Sequence, residues 1–126
     1  MSYHVVVVDD DEIILLLHNK IIQGVGLHDA PKTFNSAHKA LDFFDSLSND
    51  GESILLFLDI NMPVMDGWGL LDIIHEVDFD KKIEVIMVTS SVDQADKDKA
   101  ASYSKIINFL EKPFSKENLK QLNLRF

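Results

Sequence analysis

Four short apolar runs in this chain each stop at residues with chemistry of their own. Val5 to Val8 is followed by Asp9-Asp10-Asp11-Glu12, and Ile54 to Leu58 by Asp59-Ile60-Asn61. Val85 to Val88 is followed by Thr89-Ser90-Ser91, and Ile106 to Leu110 by Glu111-Lys112-Pro113. Adjacent carboxylates raise one another's pKa unless a cation offsets them. With oxygen ligands on offer and no His or Cys at any of these four ends, the acidic set suits a hard divalent ion such as Mg²⁺. A metal, a lysine and a hydroxyl are together what a phosphoryl group needs, because its transfer depends mostly on positioning and charge neutralisation. Asp59 is the lone carboxylate closing the central run, which makes it the candidate nucleophile for an acyl phosphate. Plainer roles compete for single residues: Asp11 and Glu12 suit the positive end of a helix, Thr89 a cap, Lys112 a surface charge. The plain roles do not explain complementary residues at all four ends, which singles out Asp9, Asp10, Asp59 and Lys112.

Positioning these residues requires particular elements. Continuous apolar runs of four or five suit strands covered on both faces, as in a parallel sheet between helices. Between them, Ile13, Ile14, Leu17 and Ile21 recur as one helical face, and Ala37, Ala40, Leu41, Phe44 and Leu47 form a second, capped by Asn35 or Ser36. Leu70, Leu71, Ile74 and Val77 predict a third helix; Leu119, Leu122 and Phe126, after a capping Ser115, predict the last. The helix expected over 93–103 has an apolar face of only Ala95, Ala100, Ala101 and Tyr103, so weak packing and mobility are expected there. The fifth strand must come from 27–34, where Pro31 confines it to a sheet edge. The expectation is an α/β fold: a doubly wound five-stranded parallel sheet with helices on both faces and ligands bound beyond the carboxyl ends of its strands.

The chain has 126 residues, 46% of them hydrophobic, and no internal repeat or linker, so a single domain over 1–126 is expected. A formal charge of −9 repels phosphate backbones and argues against nucleic acid as a direct partner. The absence of cysteine fits a reducing compartment. No apolar run approaches a membrane span and the start lacks a basic lead, so no membrane association and a cytoplasmic location are expected.

With these residues in place the sequence resembles the receiver domain of two-component response regulators over almost its whole length. Val5 to Asp10 is similar to that family's opening strand and acidic pair, and Leu58 to Gly67 to its phosphoacceptor segment. Val88-Thr89-Ser90 resembles its switch hydroxyl, and Lys112-Pro113-Phe114 its lysine motif. The resemblance implies a flavodoxin-like strand order 2-1-3-4-5. It implies that Asp59 accepts a phosphoryl group from a phosphohistidine of a sensor histidine kinase or a histidine phosphotransfer protein. Mg²⁺ would be held by Asp10, Asp59 and the backbone carbonyl of Asn61, with Asp9 acting largely through water. Asn61, Thr89 and the backbone at Ser90 would bind phosphate oxygens, Lys112 would pair with the acyl phosphate, and Phe109 takes the aromatic switch position. A cis Lys112-Pro113 bond follows from the same resemblance. Phosphorylation is expected to alter the fourth helix and fifth strand, the face offered to a downstream target or a second copy of the chain. Two departures stand out: Ser102-Tyr103-Ser104-Lys105 lacks the glycine usual before the last strand, and Phe109 lacks the hydroxyl of a tyrosine.

Two other classes fit parts of the pattern. In a haloacid-dehalogenase-like phosphatase Asp9 would be the nucleophile and Asp11 the acid, but only Glu117 follows Lys112 to supply the further acidic pair, and Asp59 goes unexplained. A pseudo-receiver would keep the fold as an interaction module alone; retention of every motif residue argues against it.

Overall fold

The computed structural model describes residues 3–47, 52–76, 81–90, 92–122 and 124. Strands and helices alternate: β1 (Tyr3–Val8), α1 (Glu12–Gly24), β2 (Lys32–Phe34), α2 (Ala37–Ser46), β3 (Glu52–Asp59), α3 (Gly67–Glu76), β4 (Lys81–Thr89), α4 (Gln94–Ala100), β5 (Ile106–Glu111) and α5 (Lys116–Gln121). All pairings are parallel and the order is β2-β1-β3-β4-β5, the flavodoxin-like arrangement. Short β2, directly after Pro31, lies at the edge as the proline requires. Asp59 and Thr89 are themselves the last residues of β3 and β4, and Asp9 extends the ladder by donating its N–H to the Phe34 carbonyl at 3.2 Å.

The pleat divides the core into two layers. Val6, Val8, Leu56, Leu58, Val85 and Met87 pack with Phe44 of α2, Leu70, Leu71 and Ile74 of α3, and Ala100 of α4. Val5, Val7, Leu55, Phe57, Ile86 and Val88 pack with Leu15 and Ile22 of α1 and Leu119 of α5. Burying both faces is what makes the strands read as continuous apolar runs.

Helix ends follow local chemistry. Asp11 caps α1, its carboxylate accepting from the N–H groups of Ile13 and Ile14; Ser36 caps α2, Asp93 caps α4, and Ser115 forms a capping box with Asn118. Among the described residues no helix is long and apolar enough to cross a membrane.

Two helical expectations change. The buried face of α1 is Leu15, His18 and Ile22, while Ile13 and Leu17 are exposed. Residues 13–17 are apolar all round, so periodicity offers more than one face; packing against β1, β3 and α5 selects among them. The fourth helix ends at Ala100, three residues short of Tyr103, which sits in the following turn. Its burial is thin as expected, with Ala100 alone fully enclosed, but Tyr103 fastens the segment: its hydroxyl donates to the Asp72 carboxylate of α3 at 2.7 Å, and its ring lies 5.5 Å from Trp68. Lys99 lies over the Trp68 ring at 4.7 Å, a second tie between α3 and α4. Val77, Ser91 and Phe126 lie outside the described residues.

Candidate functional site

At the carboxyl ends of the strands, Asp9, Asp10 and Asp59 each bring a carboxylate oxygen within 4.8 Å of the others. Asp9 and Asp59 are buried, at 2% and 1% exposure, whereas Asp10 stands open to solvent. The Lys112 ammonium spans the buried pair, 3.2 Å from Asp9 Oδ2 and 3.3 Å from Asp59 Oδ1. Asp9 Oδ1 accepts the Asp11 N–H at 2.9 Å, and Asp59 Oδ1 accepts the Asn61 N–H at 3.4 Å. Asp59 Oδ2 is buried with no hydrogen-bond partner.

The electrostatics follow from this geometry. Burial pushes the Asp59 carboxyl up to about 6, the neighbouring Asp9 charge adds to the rise, and Lys112 and the Asn61 N–H only partly oppose it. Burial likewise raises Asp9 against the pull of the Asp11 N–H and Lys112. Burial works against the Lys112 ammonium, yet the two carboxylates outweigh it and its pKa rises. One ammonium for three carboxylates leaves the pocket anionic. An unpartnered, buried carboxylate oxygen costs free energy that a cation or an added group would recover. The donor set, oxygens only, fits a hard ion such as Mg²⁺.

Elements fix each group. β1 and β3 are adjacent, with Val8 opposite Leu58, which brings Asp9 beside Asp59. Thr89, buried at the end of β4, accepts the Lys112 N–H on its carbonyl at 2.7 Å, so β4 positions the lysine backbone. The Lys112-Pro113 bond is cis. Asn61 and Ser90 are exposed beside the site, the first bonded to Asp59 through its backbone. Phe109 is not in the acidic cluster; it packs half-buried against the layer that holds α2 to α4. Asp11 is occupied as the α1 cap, and Glu12 accepts a hydrogen bond from Asn35 at 2.8 Å.

Two contributors escape a reading of residue types. A Cβ on Gly67 would sit 2.5 Å from the Asp59 carbonyl, so only glycine lets α3 begin against the end of β3, where its N–H donates to the Ile60 carbonyl at 2.8 Å. The sequence shows the glycine but not the backbone it must approach. His18 lies behind Lys112, against Phe114, and a lone histidine in an apolar helix carries no such signal.

A parallel five-stranded sheet of order β2-β1-β3-β4-β5, with an acidic cluster and a lysine at its carboxyl rim, places the chain in the flavodoxin-like α/β class. The response regulator receiver domain family matches residues 5–123, and the chain belongs to it. It is 32% identical over 97% of its length to the probable transcriptional regulator ycf29 of Porphyra purpurea, covering 55% of that protein. It is 30% identical over 73% of its length to the signal transduction histidine-protein kinase BarA of Escherichia coli. That match spans about a tenth of BarA. Among solved structures, a two-component response regulator from Cytophaga hutchinsonii superposes with a TM-score of 0.84 at 26% identity, covering 98% of this chain and 94% of that one. A response regulator receiver protein from Dyadobacter fermentans gives 0.80 at 27% identity, covering 99% and 100%. Receiver domains are signalling domains that interact with histidine kinases and phosphotransfer proteins and generally bind Mg²⁺ at an acidic pocket.

Proposed function

We propose that Asp59 is the phosphoacceptor, taking a phosphoryl group from a phosphohistidine of a sensor kinase or phosphotransfer protein, and that residues 1–126 act as one such domain. The observation that carries the reading is the division of labour within Asp59: Oδ1 is held by Lys112 and the Asn61 N–H, while Oδ2 has no partner. A free carboxylate oxygen beside a fixed ammonium is a nucleophile with its counter-charge already placed. Its attack forms a P–O bond as the P–N bond of the phosphohistidine breaks; the electron pair leaves with the imidazole, which takes up a proton. Asp9 is the poorer nucleophile because both of its oxygens are already engaged, by the Asp11 N–H and by Lys112. That contrast favours the receiver reading over a phosphatase built on Asp9.

Asp10, Asp59 and the Asn61 carbonyl would hold Mg²⁺, with Asp9 behind them, and the ion would neutralise charge on the phosphoryl oxygens. Lys112 pairs with the acyl phosphate once formed. The Thr89 hydroxyl and the backbone at Ser90 take the remaining oxygens. Drawing Thr89 toward the phosphate opens space for Phe109 and shifts α4, which is tied to α3 by the Lys99–Trp68 contact and, through the turn that follows it, by the Tyr103–Asp72 hydrogen bond. A shift of a few kcal/mol between arrangements already populated is sufficient. The surface offered to a target or a second copy is then α4, β5 and α5.

Intact-mass measurement after treatment with acetyl phosphate and Mg²⁺ tests the reading. One phosphoryl adduct is expected on the wild type and none on Asp59→Asn; an unchanged adduct on the variant overturns it.

A further inference from the structure

Lys112 reaches the acidic pair from a short stretch of backbone that is held at both ends. On one side its N–H donates to the Thr89 carbonyl at 2.7 Å. On the other, Pro113 has no N–H, so the next donor along the chain is Phe114. Its acceptor is a side chain: the Phe114 N–H points to Nε2 of His18 at 3.3 Å. A backbone N–H can only donate, so Nε2 carries its lone pair and the ring is neutral with its proton on Nδ1. Burial pushes the His18 pKa down to about 4, and the Lys112 charge adds to the fall, so the acceptor persists at neutral pH. The imidazole is 1% exposed and lies flat on the Phe114 ring, 3.8 Å between centroids at 18°. Phe114 in turn leans on Phe57, two residues before Asp59, at 5.4 Å. One side chain of α1 therefore ties together the loop that carries the lysine and the helix that starts just beyond the acidic run.

We propose that His18 is a positioning residue for Lys112: by accepting the Phe114 N–H and stacking on its ring, it fixes the backbone from which the ammonium spans Asp9 and Asp59. The proposal rests on the reading of Asp59 as phosphoacceptor. A lysine stem has many rotamers, and its contacts of 3.2 and 3.3 Å leave little slack, so a small displacement of its root breaks the bridge. His18→Leu keeps an apolar filler but leaves the Phe114 N–H buried without an acceptor. His18→Gln places an amide oxygen near the position of Nε2 and restores the acceptor; His18→Asn is a methylene too short to do so.

The test is the rate of adduct formation from acetyl phosphate with Mg²⁺, followed by intact mass, together with exchange of the Phe114 amide. His18→Leu should slow phosphorylation about tenfold and expose the Phe114 amide to exchange, with most of the rate restored in His18→Gln. In a Lys112→Ala background the same substitution should cost less than about twofold, because the group it positions is gone. A wild-type rate in His18→Leu overturns the proposal, as does an equal factor in both backgrounds, which would mark a general loss of structure. If His18→Leu fails to fold, His18→Gln and His18→Asn carry the comparison, and equal rates for the two overturn it. Failure of the wild type itself to form an adduct would instead overturn the phosphoacceptor reading, and the Phe114 exchange would still decide the His18 contact.

Discussion

Replacing Asp59 by asparagine should stabilise the metal-free protein while abolishing its proposed reaction. The folded carboxyl titrates at about 6 against an ordinary value of 3.8, because burial and the Asp9 charge outweigh Lys112. A folded pKa above the unfolded one means that the native state binds the proton more tightly. The resulting stability is fully present below about pH 4 and is lost as pH rises through about 6. At neutral pH, keeping Asp59 ionised therefore costs on the order of 3 kcal/mol, from roughly two pKa units at 1.36 kcal/mol each. An asparagine side chain is nearly isosteric with aspartate and uncharged, so Asp59→Asn should recover most of that cost, a rise in Tm of about 10 °C for a chain of this size. Urea unfolding in chelator, for both proteins across pH, measures it. The gap should be widest at neutral pH and close toward about pH 4, where the wild-type carboxyl is itself protonated. Saturating Mg²⁺ should narrow the gap at neutral pH by stabilising only the wild type. A variant no more stable than the wild type in chelator, or a gap independent of pH, would mean that burial and the Asp9 charge do not raise the Asp59 carboxyl.

Other outcomes follow from the same geometry. Asp10→Ala should weaken Mg²⁺ binding with little effect on stability, whereas Asp11→Ala should cost about 1 kcal/mol by removing the α1 cap and leave affinity nearly unchanged; calorimetric titration and unfolding separate the two. Gly67→Ala should destabilise by roughly 3 kcal/mol, since its Cβ meets the Asp59 carbonyl at 2.5 Å, and unfolding midpoints report it. Thr89→Ala should leave phosphorylation of Asp59 intact but remove the change in amide exchange that beryllofluoride, a phosphate mimic, produces across α4 and β5.

Chemistry at the strand ends is legible in the sequence because a parallel sheet forces it there. Asp9, Asp59 and Thr89 close runs of buried aliphatics, so residue type and position coincide. Strand order enters through resemblance, since periodicity carries no pairing information. The α1 face is misread because an apolar run presents several candidate faces, and burial is decided by β1, β3 and α5. His18 is hidden for the same reason: its role depends on Phe114, 96 residues away in the chain. The Tyr103–Asp72 tie, 31 residues apart, turns a helix with almost no apolar face into one with a defined latch, and no local pattern encodes it.

Asp59 and no other carboxylate is expected to receive the phosphoryl group. Borohydride reduces an aspartyl phosphate to homoserine, so peptide mapping after phosphorylation and reduction reads the site directly. Homoserine is expected at position 59 alone; homoserine at position 9, or at neither, would mean that Asp59 is not the phosphoacceptor.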